Sequence, residues 1–232
     1  MNSGDLLGSF RIIQSLGAGG MGQVFLAVDT KTGEDLAIKI LRKDEPFYET
    51  WLPLFLREQR IYQDIEHPNV VSFISSGETE DFHFTVLEHI LGVSMRDQLT
   101  REGPAGLVST FSWMQEIILG LHASHQKGYI HGDLKPDNVM ITRDLGIKLI
   151  DYGIAREAFV SKSLDAGPYV GTPAYSAPET LLQRDVTQRA DIFSAGLLFY
   201  EMILGTMLVQ NPYEKEVILR EFRSFDSAGY VL

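Results

Sequence analysis

Apolar and polar positions alternate along much of the first ninety residues. Residues 10–16, 23–29 and 35–41 are rich in β-branched and aromatic side chains and are separated by the glycine-bearing turns GAGGMG and TKTGE. That pattern predicts a β-meander. Residues 53–65 then carry Leu54, Phe55, Ile61, Tyr62 and Ile65 at helical spacing and stop before HPN, where proline forbids continuation. Two further strands are expected at 70–75 and 82–87. After a link at 88–92 the apolar period lengthens, predicting helices over 109–126 and 192–204. A last amphipathic helix is expected over 214–225, with Val217, Ile218, Phe222 and Phe225 on one side. The layout is α+β: a small β-rich part at 1–90 with one main helix, and a larger helical part at 91–232. No internal repeat or low-complexity segment interrupts it.

Composition narrows the classes. The chain has 232 residues, 44% of them hydrophobic, enough for a real core in one large domain or two small lobes. It contains no cysteine, so disulfides and thiolate metal sites are excluded, and a reducing compartment, the cytoplasm, is expected. MNSGDLLGSF has neither a basic start nor a long apolar run, unlike a secretory signal. Residues 192–209 are the one stretch that invites a membrane reading, and Glu201 interrupts it, so a buried helix is expected and no membrane segment. A formal net charge of -11 argues against nucleic-acid binding, because phosphate backbones are gripped by lysine and arginine clusters.

Four places carry candidate chemistry. Gly17, Gly19 and Gly22 form G-x-G-x-x-G, which fits a mobile hairpin turn or a phosphate-binding loop. A dinucleotide fingerprint must lead into a helix, whereas here a strand follows. A glycine-rich hairpin can instead lie over a triphosphate, its bare backbone letting N–H groups approach the oxygens. Lys39 sits on a strand beside Ala37, Ile38 and Ile40. It reads either as a solvated edge residue or as a buried ammonium that needs a carboxylate. Glu58 is the candidate partner, with pairing to its own helical neighbours as the alternative. The loop HGDLKPDN is the most specific signal. Asp133 can accept a proton from an attacking hydroxyl, Lys135 can stabilise a transferring phosphoryl group, and Asn138 offers a neutral oxygen to a metal. Asp151 ends a short apolar strand in KLIDYGIA, a common turn that beside Asp133 and Asn138 becomes a Mg²⁺ carboxylate.

With these features in order, namely GAGGMGQVF, AIK, Glu58, HPNVV, HGDLKPDN, DYG, GTPAYSAPE and DIFSAG, the chain resembles a eukaryotic-like serine/threonine protein kinase of the type common in bacteria. The resemblance runs from Gly17 to Gly196. It implies a bilobal kinase fold that binds ATP and Mg²⁺ and phosphorylates serine or threonine in a protein substrate. By it, Gly17, Gly19 and Gly22 cover the ATP phosphates, and Lys39 contacts the α- and β-phosphates while paired with Glu58. Asp133 is the catalytic base, Lys135 a γ-phosphate contact, and Asn138 and Asp151 the Mg²⁺ ligands. Val24, Ala37 and Met140 sandwich the adenine. Leu87 is the gatekeeper, and the backbone of Glu88 and Ile90 meets the purine edge. Thr172 lies near the catalytic aspartate. Asp191 is similar to the family's buried aspartate, with a plain helix N-cap as the alternative.

The chain also departs from that pattern. Gly132 stands where the family usually has arginine, the receptor for an activating phosphate. Tyr152 replaces the usual phenylalanine and adds a hydroxyl that needs a partner if buried. After residue 204 only about one further helix fits, where family members continue, so the second lobe is expected to be shortened and to invite self-association or a partner chain. Arg220 or Arg223 is then the candidate partner of Glu179. Two other functions share the motifs: a small-molecule phosphotransferase, since HGD with an asparagine five residues on also resembles antibiotic and choline phosphotransferases, and a catalytically weak scaffold. Lys135, the glycine-rich loop and APE speak against the first, and the full residue set at Lys39, Asp133, Asn138 and Asp151 against the second.

Overall fold

The computed structural model describes residues 1–19, 22–152, 156–157, 172–182, 186–209 and 214–227. The chain divides into two compact units, Met1–Leu91 and Gly92–Leu232.

The first unit is an antiparallel sheet with one helix. Its strands are β1 (Leu6–Leu7), β2 (Phe10–Gly19), β3 (Gly22–Asp29), β4 (Asp35–Arg42), β5 (Phe73–Glu78) and β6 (Phe82–Glu88), in the order β1-β2-β3-β4-β6-β5. Alternation decides which face is buried. Leu36, Ile38 and Ile40 of β4, Phe25 and Ala27 of β3, and Val86 of β6 form one core with Leu7 and Ile12. Each of these side chains other than that of Ala27 contributes roughly 1.5–3 kcal/mol by leaving water. Helix α1 spans Tyr48–Asp64 and buries Phe55, Glu58, Ile61 and Tyr62. It begins five residues before the expected start, with Pro53 inside it. A contact distant in sequence accounts for the added turn: the Tyr48 hydroxyl lies 2.9 Å from His83 Nε2 on β6, with the two rings stacked. The strand expected at 70–75 is shifted to Phe73–Glu78, because the turn after HPN continues through Val70, whose N–H donates to His67 O.

The second unit is mainly helical. It holds β7 (Gly92–Ser94), α2 (Met95–Glu102), α3 (Leu107–Gln126), β8 (Tyr129–Ile130), β9 (Val139–Thr142), β10 (Ile147–Leu149), β11 (Arg156–Glu157), α4 (Pro178–Leu181), α5 (Arg189–Leu204) and α6 (Lys215–Ser227). The strands form two small sheets, β10-β9-β7 and β11-β8. Helix α2 was not expected, although its start is written locally. Ser94 accepts a hydrogen bond from Asp97 N at 3.0 Å and donates to the Asp97 carboxylate, which is a capping pattern. Helix α3 fixes the β9–β10 hairpin through Trp113 Nε1 to Leu145 O (3.1 Å) and Ile147 N to Glu116 Oε2 (2.7 Å). On α6, Ile218 is buried against Leu181 and Val209 while Phe222 meets Phe193 edge-on. The side chains of Phe225 and Arg223 lie outside the described residues. Arg220 is exposed, and Glu179 forms no ion pair among the described residues. None of the described helices is long and apolar enough to cross a membrane.

Candidate functional site

In the first unit the register places the expected nucleotide residues on one face. Gly17 opposes Val24, Val24 opposes Lys39, and Lys39 opposes Thr85, while Ala37 opposes Leu87. Directly opposed residues of an antiparallel pair share a face. Val24, Ala37, Lys39 and Leu87 therefore lie on the face opposite the Phe25, Ile38 and Val86 core. Lys39 Nζ donates to Glu58 Oε2 at 2.6 Å, and Glu58 Oε1 accepts the Tyr62 hydroxyl at 3.1 Å. The Glu58 side chain is only 3% exposed and that of Lys39 13%, so the pair is substantially desolvated rather than a surface ion pair.

The glycines divide by physical role. Gly22 has φ +129°, and a Cβ there would lie 2.2 Å from Ile40 O. Chain packing alone excludes any other residue. Among the described residues a Cβ at Gly17 would meet nothing within 4 Å, so packing against them does not explain that glycine. Gly19 pairs with Gly22 at the end of the β2–β3 hairpin. A strand does follow the motif, in keeping with the argument against a dinucleotide fingerprint. The Glu88 N–H donates to Ser72 O. Ile90 is half-buried.

In the second unit, residues 131–138 form a dense cluster. Asp133 Oδ2 accepts from Lys135 Nζ at 2.8 Å and from Asn138 Nδ2 at 3.2 Å, and Oδ1 accepts from Thr172 N at 3.0 Å. Lys135 Nζ also donates to Thr172 Oγ1 at 2.8 Å. The Asn138 amide nitrogen donates to Asp133 O at 2.9 Å, which turns its oxygen away from those bonds. Ile150 N donates to Asn138 O, so Asp151, the next residue, is held close to the loop. Met140 is half-buried on β9, opposite Ser94.

The donor set suits magnesium. An amide oxygen and a carboxylate are hard ligands, and magnesium takes few protein groups and completes its shell from phosphate and water. Among the described residues no group of three or more His, Cys, Asp or Glu could hold a metal.

Asp191 explains the loop's backbone. It is fully buried and is the third residue of α5, not its N-cap. Its carboxylate accepts from His131 N (2.9 Å), Gly132 N (2.9 Å) and His125 Nε2 (2.7 Å). Gly132 has φ +77°, in the left-handed region where a Cβ is costly. Gly132 therefore has a local reason to be glycine besides the absence of an arginine charge. Gly132→Ala is expected to lower unfolding free energy by about 1 kcal/mol, read as a shift in the urea midpoint at constant m. An unchanged midpoint would show that the backbone relaxes freely.

Two further networks escaped the sequence reading. The Tyr152 phenol, raised by burial and by the Asp191 charge and partly offset by its bond to Ser124, finds its partner on α3: Ser124 Oγ at 2.7 Å. Glu201, read only as a break in an apolar run, is 3% exposed and anchors Arg96. Arg96 Nη1 donates to Glu201 Oε1 and Nη2 to the Tyr175 hydroxyl, each at 2.6 Å, and Tyr175 donates to Glu201 Oε2 at 2.5 Å. Burial works to lower the Arg96 pKa, but Tyr175 and Glu201 outweigh it and hold the guanidinium above its ordinary value. Tyr175 is pushed up by burial and by Glu201. The segment from Thr172 to Leu181 is thereby fastened to α2 and α5. Ser161 and Ser163 lie outside the described residues.

Comparison with known proteins adds an independent line. A family described as the protein kinase domain matches residues 10–228. Curated relatives include serine/threonine-protein kinase pkn2 of Myxococcus xanthus, 36% identical over 217 residues, covering 91% of this chain and 26% of the relative. PrkC of Bacillus subtilis, also named a serine/threonine-protein kinase, is 30% identical over 209 residues, covering 90% and 32%. PknB of Mycobacterium leprae, so named too, is 33% identical over 195 residues, covering 82% and 31%. The chain thus spans about a quarter to a third of the length of these relatives.

Proposed function

Because this chain belongs to the protein kinase domain family, we propose that it transfers the γ-phosphoryl group of ATP to a serine or threonine hydroxyl of a protein. The observation that carries this reading is the cluster in which Asp133 gathers Lys135, Asn138 and the Thr172 amide. On this reading Asp133 takes the proton of the attacking hydroxyl while that oxygen bonds to the γ-phosphorus and the bond to the β–γ bridging oxygen breaks, releasing ADP. Lys135 supports the charge on the transferring group. Lys39, fixed by Glu58, grips the α- and β-phosphates beneath the hairpin of Gly17, Gly19 and Gly22. Val24, Ala37, Leu87, Met140 and the backbone of Glu88 and Ile90 take the adenine. Asn138 and Asp151 hold Mg²⁺, which neutralises phosphate charge when bound.

The test is transfer of labelled γ-phosphate to a serine/threonine peptide library beside a panel of small alcohols, antibiotics and choline included. Label in peptides alone supports the reading. Label in small alcohols alone, or none anywhere, overturns it.

Activity on this reading does not depend on phosphorylation of Ser161, Ser163 or Thr172, because Gly132 offers a phosphate no receptor charge. The Ser161→Ala, Ser163→Ala double variant, treated with phosphatase, is expected to keep turnover within about twofold, since the charges that matter come from Lys135 and Lys39. A collapse in turnover would refute this.

A further inference from the structure

Tyr152 is 1% exposed, and its ring lies 4.5 Å from that of His131. Ser124 Oγ lies within hydrogen-bond reach of Gly120 O at 3.2 Å. It also shares a 2.7 Å hydrogen bond with the Tyr152 hydroxyl, in which either oxygen can donate. The Tyr152 side chain is thereby tied, through Ser124, to α3. A phenylalanine in this position would fill the same space without that tie.

The neighbouring residue supplies a second observation. Asp151 has φ +62°, a left-handed conformation that non-glycine residues keep only where their surroundings hold it. On the amino-terminal side the hold is visible. Ile150 N donates to Asn138 O, and Ile150 O accepts from His131 Nε2. The His131 tautomer is consistent, because its Nδ1 accepts from Asp133 N. On the carboxy-terminal side the next fixed point is the Tyr152 side chain, wedged against His131 and tied to α3.

We propose that the Tyr152–Ser124 hydrogen bond is a latch that keeps Asp151 in its left-handed conformation. Tyr152 and Ser124 are then positioning residues for the carboxylate that, on the function proposed above, holds Mg²⁺. The inference rests on that reading only for what Asp151 binds, not for the latch itself.

Amide hydrogen exchange on the full chain without nucleotide separates the two. Tyr152→Phe is expected to speed exchange of residues 149–152 by about five- to tenfold, the size of one lost hydrogen bond, while α3 and α5 keep their protection. Ser124→Ala should do the same. Because both remove one bond, the double variant should be no faster than either single variant. In the presence of a non-hydrolysable ATP analogue, half-saturation by Mg²⁺ should move to several-fold higher concentration in both variants, with turnover on ATP at saturating Mg²⁺ within about twofold of the parent. Unchanged local exchange, additive effects, or exchange rising equally across the second unit overturns the latch. If the parent chain binds no Mg²⁺ and nucleotide, the proposed function fails, and the exchange comparison still decides the latch.

Discussion

Asp133→Asn is expected to lower phosphoryl transfer by about 10³-fold, within the range a positioned general base contributes, while ATP affinity stays within about threefold. The asymmetry follows from what Asp133 touches. Its two oxygens accept from Thr172 N, Lys135 Nζ and Asn138 Nδ2, and on the proposed function it handles the acceptor's proton rather than the nucleotide. Asparagine keeps one acceptor oxygen but turns an NH₂ group toward donors that need an acceptor. The loss therefore combines the missing base with a loosened Lys135. Single-turnover rates beside a fluorescent-nucleotide titration separate chemistry from binding. A variant retaining more than a tenth of parental turnover would remove Asp133 from the role of base.

Lys39→Met should act through both binding and folding. The Glu58 side chain is 3% exposed and receives Lys39 Nζ at 2.6 Å. Removing the ammonium leaves a buried carboxylate without its counter-charge, a defect that typically costs about 3–5 kcal/mol. The exposure of Lys39 itself, 13%, puts the expectation at the lower end. Chemical denaturation should report that loss, and nucleotide affinity should fall by one to two orders of magnitude, as expected for a lost charge-assisted contact to phosphate. The Lys39→Met, Glu58→Leu double variant should regain much of the stability but none of the affinity, because two apolar side chains remove the stranded charge without restoring a phosphate contact. Equal loss of stability in the double variant would mean that packing around α1, not the ion pair, sets the cost.

The two pairs of residues behind these predictions were legible to different degrees. Asp133, Lys135 and Asn138 stand in one short loop, so their spacing alone marked them. Lys39 and Glu58 are separated in the chain and were joined by an argument about what a buried ammonium requires, which the geometry bears out. The β2–β3 hairpin was legible because glycine and a period of two are local signals. Helix α2 was legible too, through its Ser94 and Asp97 cap, and was missed because the apolar period there is short. The start of α1 was not legible, since Tyr48 joins the helix by stacking on His83 of a strand that comes later.

What the amino-acid sequence determined by itself is most of the element types, the glycine-rich hairpin, and the polar loop of Asp133, Lys135 and Asn138, because each rests on side-chain period or on chemistry within a few residues. Tertiary structure alone decided why position 132 is a glycine, whom Tyr152 bonds, and how a glutamate survives inside α5. Gly132 is bent by a carboxylate 59 positions away, and Glu201 is matched by Arg96 across 105. A buried polar group must be satisfied, yet local sequence states only that a partner is required. Which one it is depends on where folding carries the rest of the chain.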